Sequence, residues 1–138
     1  MTSRRDARRL ALDVLYQADV TGRDPEDVLA SWVAAGRTMP EFTGQLVAGV
    51  ARYEPDIDLL LEEHAEQWSV ARMPALDRSI LRIAVFELLH RPDVPPSAAI
   101  SEAVEAAAQL STEDSKRFVN GLLGRIERDL PSERGAAP

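Results

Sequence analysis

Paired helix-start and helix-stop signals divide this chain from end to end, and no segment between them alternates with the period of a strand. Ser3 with Asp6 forms an S-x-x-D start, and Leu10, Ala11, Val14, Leu15 and Ala18 follow at the spacing of one helical face. Thr21-Gly22 closes that segment. Asp24-Pro25-Glu26-Asp27 opens a second with a cap residue, a proline at the first helical position and acids in the first turn. Val28, Leu29, Trp32 and Val33 give its apolar side, and Gly36 stops it. Pro40 opens a third segment (Phe42, Leu46, Val47, Val50) and Pro55 a fourth (Ile57, Leu60, Leu61, His64, Trp68). Pro74 opens a fifth, ALDRSILRIAVFELLH, which is apolar on most sides and therefore expected at the centre. The loop RPDVPP leads to an alanine-rich sixth, roughly Ser97 to Gln109. Ser111 with Asp114 repeats the S-x-x-D start, and Phe118, Val119, Leu122, Leu123 and Ile126 line the last helix.

The expected fold is thus all-α, a single domain of about seven helices with short connections. A chain of 138 residues is long enough to bury one real core. Residues 1–130 are taken as the helical domain and 131–138, PSERGAAP, as a flexible C-terminal tail. No apolar run approaches 18 residues, so no membrane span is expected. The arginines near the N-terminus are not followed by the apolar stretch of a secretory signal. Cysteine is absent, which excludes disulfides, thiol chemistry and Cys-ligated zinc and fits a cytoplasmic location.

Charge is spread unevenly. The net charge is -7, yet residues 3–9, SRRDARR, hold four arginines and one aspartate. A helix start carries partial positive charge, so acids are favoured there and a cation costs about 0.3–1 kcal/mol. The second and fourth segments obey, with Asp24, Glu26, Asp27 and with Glu54, Asp56, Asp58. The first breaks the rule with Arg4, Arg5, Arg8 and Arg9, and the last is mixed, with Asp114 followed by Lys116 and Arg117. Two readings stand. The cations are a solvated end, or the two helix starts lie side by side and hold a polyanion, RNA foremost, on backbone N–H groups and arginine forks.

Enzyme chemistry finds little to work with. Neither phosphate-binding glycine loops nor a G-x-S-x-G nucleophile motif occurs. The two histidines are His64 and His90; the latter stands three residues after Glu87 and suits a helix end. A di-metal bundle needs two such Glu-x-x-His pairs and two further glutamates, so no metal and no cofactor are expected. Gly121 and Gly124 are expected to allow close helix packing.

Three stretches carry a family resemblance: ARRLALDVLYQAD at 7–19, LDRSILRIAVFELLHRPDVPPSAAISEAVEAA at 76–107, and STEDSKRFVNGLLGRI at 111–126. Together they resemble the bacterial transcription antitermination factor family NusB. The resemblance implies two small packed helical bundles around a common core, and no catalysis. It implies binding of boxA RNA on nascent ribosomal transcripts, jointly with the small-subunit ribosomal protein NusE, within the RNA polymerase antitermination complex. Carried over residue by residue, the RNA surface falls on Arg4, Arg5, Arg8 and Arg9, and on Asp114, Lys116, Arg117, Phe118 and Asn120. The protein-partner face falls on Tyr16 and Asp77.

Two departures stand out. Asp6 interrupts the basic run, and PSAAISEAVE has alanine and serine where relatives carry bulkier or amide residues, which implies weaker RNA binding without the partner. The helical fold also resembles the RNA-binding portion of certain ribosomal RNA cytosine methyltransferases, but no cofactor-binding domain is expected within this length. A protein-only helical adaptor, or a homodimer without a direct RNA role, is the alternative.

Overall fold

The computed structural model describes residues 3–66 and 68–131; of the expected tail at 131–138, residues 132–138 lie outside the described residues. Among the described residues six α-helices follow in order: α1 Arg4–Thr21, α2 Pro25–Ala34, α3 Glu41–His64, α4 Ala75–His90, α5 Pro96–Leu110 and α6 Glu113–Asp129. A single 3-10 turn, Val70–Arg72, separates α3 from α4, and no strand occurs among the described residues. Among the described residues no helix is long and apolar enough to cross a membrane.

Most boundaries follow from local chemistry. Ser3 Oγ accepts from the Asp6 amide at 3.1 Å, and Gly22, at φ +72°, closes α1 in the left-handed region where a β-carbon is strained. Asp24 accepts from the amides of Glu26 (2.8 Å) and Asp27 (3.4 Å), with Pro25 in the first turn of α2.

Trp68, read onto the apolar face of the fourth segment, lies beyond the end of α3 at His64 and is 46% exposed. Two boundaries also differ from the sequence reading. The third and fourth segments are one helix, with Pro55 inside it. Proline removes one backbone hydrogen bond and crowds the preceding turn, at about 3 kcal/mol. Burial on both sides outweighs this: Leu46, Val47 and Val50 before Pro55, and Ile57 and Leu61 after it, are fully buried. Arg82 of α4 also grips both flanks, donating to Asp58 at 2.9 and 2.8 Å and pairing with Glu54 at 3.5 Å. Glu54 and Asp58 therefore act across the helix interface, where the dipole rule had placed them at a helix start. The second difference is the cap of α6. It is Thr112, whose Oγ1 accepts from the Ser115 amide at 3.0 Å. Ser111 instead lies against Asp77.

α4 is the central helix, as its all-round apolar pattern requires; it packs against α1, α3, α5 and α6. α1, α2 and α3 gather on one side of it and α5 and α6 on the other, and a single hydrophobic core runs through both groups. α1 and α4 are antiparallel: Arg8 pairs with Glu87 at one end, and Asp19 with Arg78 (2.7 Å) at the other. Arg78 also donates to the carbonyls of Val70 and Met73, so one guanidinium fixes the 3-10 turn against both helices.

Gly49 of α3 has a packing reason that the sequence did not reveal. A β-carbon there would lie 2.2 Å from Phe86 Cζ. Gly121 and Gly124 have the opposite status. The nearest atoms to a β-carbon at each are Arg125 Nη1 (3.4 Å) and Arg128 Nη1 (3.5 Å) of the same helix, so no close approach of a second helix requires them.

Candidate nucleic-acid interface

All four arginines of the α1 start reach across to acceptors on α4, α5 or the loop joining them. Arg4 Nη2 donates to Asp93 Oδ2 at 2.8 Å. Arg5 forks onto Glu102 through Nε (3.3 and 3.2 Å) and Nη2 (3.1 Å). Arg8 makes a two-pronged pair with Glu87, 2.8 Å from Nε and 2.7 Å from Nη2. Arg9 Nη2 donates to Gln109 Oε1 at 2.6 Å.

These contacts divide the arginines into two kinds. The Arg8 side chain is 14% exposed and that of Glu87 1%, so this pair belongs to the α1/α4 interface. The Arg5 side chain is 63% exposed and Arg4 is also open to solvent. Burial works against the Arg8 charge, but the hydrogen bonds and charge of Glu87 outweigh it and raise its pKa. The bond and charge of Glu102 likewise raise Arg5. Asp93, shared by Arg91 and Arg4, is held well below the usual carboxylate range.

Phe42 organises the cationic side. Its ring centroid lies 4.4 Å from the Arg4 guanidinium carbon, 5.0 Å from that of Arg91 and 5.3 Å from that of Arg8. The sequence marked Phe42 only as a core position. Arg91, Asp93, Glu102 and Gln109 were missed altogether. The only sequence signal available for the last two is their position on the sparse polar face of an alanine-rich helix.

The start of α6 does not lie beside the start of α1. Ser115 Oγ donates to Asp77 Oδ2 (2.7 Å) and Ser111 Oγ lies 3.1 Å from Oδ1, both near the first turn of α4. Arg8 meets Glu87 near the other end of α4, about ten residues or ~15 Å along the axis. The side-by-side expectation fails because α4, which α1 and α6 flank, runs antiparallel to α1. α5 spans the gap, since Gln109 holds Arg9 three residues before the α6 cap.

At the α6 start, Asp114 and Arg117 are exposed and bonded to each other, and Asn120 is exposed. Lys116 is half-buried, and Phe118 packs its ring partly against the core. Of the two expected partner contacts, Tyr16 is 41% exposed, with Val20 exposed one turn on. Asp77 is 2% exposed and its carboxylate is taken up by Ser111 and Ser115, so it braces the α4/α6 junction from within and offers no outer face.

Neither histidine sits in a metal-binding cluster; among the described residues no three His, Cys, Asp or Glu side chains gather as a metal ion would need. His90 stacks on Tyr53 at 3.8 Å between centroids, and burial lowers its pKa, so the neutral ring is favoured and the helix-end cation expected there is not.

The model of the NusB family matches residues 5–128. A transcription antitermination protein NusB of Saccharopolyspora erythraea is 50% identical, covering 100% of this chain and 98% of that protein. Another, of Salinispora tropica, is 51% identical over 91% of this chain and 96% of its own. Among solved structures, NusB of T. maritima superposes with a TM-score of 0.87 at 32% identity, covering 98% of each chain. A chain from the complex of antitermination factors NusB and NusE with dsRNA gives a TM-score of 0.81 at 27% identity, over 92% of this chain and 97% of that one.

Proposed function

Because the chain belongs to the NusB family, we propose that it works as a transcription antitermination factor that holds the boxA element of nascent ribosomal RNA together with the ribosomal protein NusE and tethers it to the RNA polymerase complex. It does so by binding, without catalysis, in the bacterial cytoplasm. The observation that carries the RNA assignment is the pair of solvent-exposed guanidiniums, Arg4 and Arg5, at a helix start within an otherwise acidic chain. Phosphates meet those forks and the first-turn amides, while Arg8, buried against Glu87, fixes the helix that presents them.

The RNA path continues along α5 to the α6 start, where Arg117, Lys116 and Asn120 supply further donors and Phe118 an aromatic edge for unstacked bases. Phosphate contacts supply affinity and base contacts supply the boxA preference. Tyr16 with Val20 is the contact face for the ribosomal partner, and Asp77 serves the fold by holding the α4/α6 junction through Ser111 and Ser115.

An RNA shift assay with Arg4→Gln plus Arg5→Gln, with and without the partner, tests this reading. Weaker binding with a shallower salt dependence is expected. Unchanged RNA affinity in the folded variant would leave the protein-only adaptor as the better account.

A further inference from the structure

Both exposed arginines at the α1 start are already occupied by carboxylates of their own chain. Arg5 forks onto Glu102 through three contacts of 3.1 to 3.3 Å, and Arg4 meets Asp93 at 2.8 Å. A carboxylate offers a guanidinium fork the same two-oxygen edge that a phosphate does. The exposures are unequal: Glu102 is 23% exposed against 63% for Arg5, so the acid is the anchored member and the arginine the one able to leave. Asp93 has a second holder, since Arg91 bonds both its oxygens at 3.0 and 2.9 Å, so the departure of Arg4 leaves that carboxylate paired.

We infer that Glu102 and Asp93 are built-in phosphate surrogates, which hold Arg5 and Arg4 in the unbound protein and give them up to RNA phosphates. This rests on the RNA-binding reading of the α1 start. Each arginine–phosphate contact then replaces an internal pair and does not simply add one. A single stray anion gains little from that exchange. A strand whose phosphates engage Arg4 and Arg5 together gains more, so the surrogates lower affinity and sharpen selection against isolated anions.

Fluorescence anisotropy on labelled boxA RNA, with the full chain and the ribosomal partner present, separates the possibilities. Glu102→Gln should tighten binding roughly two- to fivefold, the range of an exposed ion pair. Arg5→Gln should weaken it, and in the Arg5→Gln background the gain from Glu102→Gln should vanish. Glu26→Gln, which removes one negative charge from α2, is the control for net charge. Equal tightening by Glu26→Gln, or a gain that survives without Arg5, overturns the inference. No gain from Glu102→Gln while Arg5→Gln still weakens binding also overturns it and leaves the RNA site standing. No effect of Arg5→Gln removes the RNA reading itself. Glu102→Ala, checked by thermal melting, repeats the test should the amide re-form the bond to Arg5.

Discussion

Arg8 and Glu87 close a two-pronged ion pair across the α1/α4 interface, at 2.8 and 2.7 Å, with the carboxylate almost fully buried. A buried pair contributes little over an apolar replacement, but removing one member leaves the other charged in a low dielectric. Arg8→Ala is therefore expected to destabilise the fold by about 3 kcal/mol, read from urea unfolding. Arg5→Ala, at an exposed pair, should cost little. A loss of RNA binding in an Arg8 variant thus reports a damaged helix as readily as a missing phosphate contact, and variants of Arg4 and Arg5 are the cleaner probes.

Gly49 of α3 and Gly121 of α6 should respond to alanine with opposite signs. At Gly49 three ring atoms of Phe86 lie 2.2 to 2.7 Å from a β-carbon, and the ring sits against Tyr53 with its centroid 6.3 Å away. Gly49→Ala must displace that ring, and a loss of about 1–3 kcal/mol is expected. At Gly121 only the far end of Arg125 is near, so Gly121→Ala should stabilise by up to about 1 kcal/mol through helix propensity. Thermal unfolding of the two variants side by side checks both signs.

Local rules reached as far as local causes do. Ser3, Gly22, Asp24 and the apolar face of α4 act through their own neighbours in the chain, and each ends where its chemistry directs. Pro55 was misread because the burial of Ile57 and Leu61 and the grip of Arg82 on Glu54 and Asp58 are tertiary facts, invisible to a breaker signal. The same limit governed the site. SRRDARR was legible as misplaced charge, but which arginine is exposed and which is buried depends on Glu87 and Glu102, residues roughly 80 to 100 positions away. The burial of Asp77 was hidden for that reason too, since it is set by Ser111 and Ser115.

His64 should make stability depend on pH on the alkaline side. Its Nδ1 lies 2.9 Å from the Leu60 carbonyl and its Nε2 2.7 Å from Asp129 Oδ2, and a neutral ring has only one N–H for these two acceptors. Burial opposes the charge, but the bonds to Leu60 and Asp129 outweigh it and raise the pKa above 6.5. The folded value exceeds the unfolded one, so the stabilisation is complete below about pH 6.5 and is lost as pH rises through the folded value. His90, with its pKa lowered, acts on the other side: its protonation costs stability as pH falls below about 6.5. Asp129→Asn should flatten the alkaline limb and spare the acidic one in denaturant unfolding measured across pH. With Asp129 mostly exposed, the change should stay under about 1 kcal/mol.

Asp114→Asn should tighten RNA binding. Asp114 is exposed in the first turn of α6 and bonds Arg117, one of the few cations on that surface, while the cap itself is Thr112. Neutralising it takes a repelling charge away from the RNA path and releases Arg117 for phosphate. The helix gives up one favourable acid at its positive end, worth about 0.3–1 kcal/mol, and keeps the Thr112 cap. A gain of a few-fold in boxA affinity with a slightly lower melting temperature is expected from anisotropy and thermal unfolding of the same preparation. Unchanged or weaker binding alongside that small thermal loss would place the α6 start outside the RNA path and confine the phosphate contacts to Arg4 and Arg5.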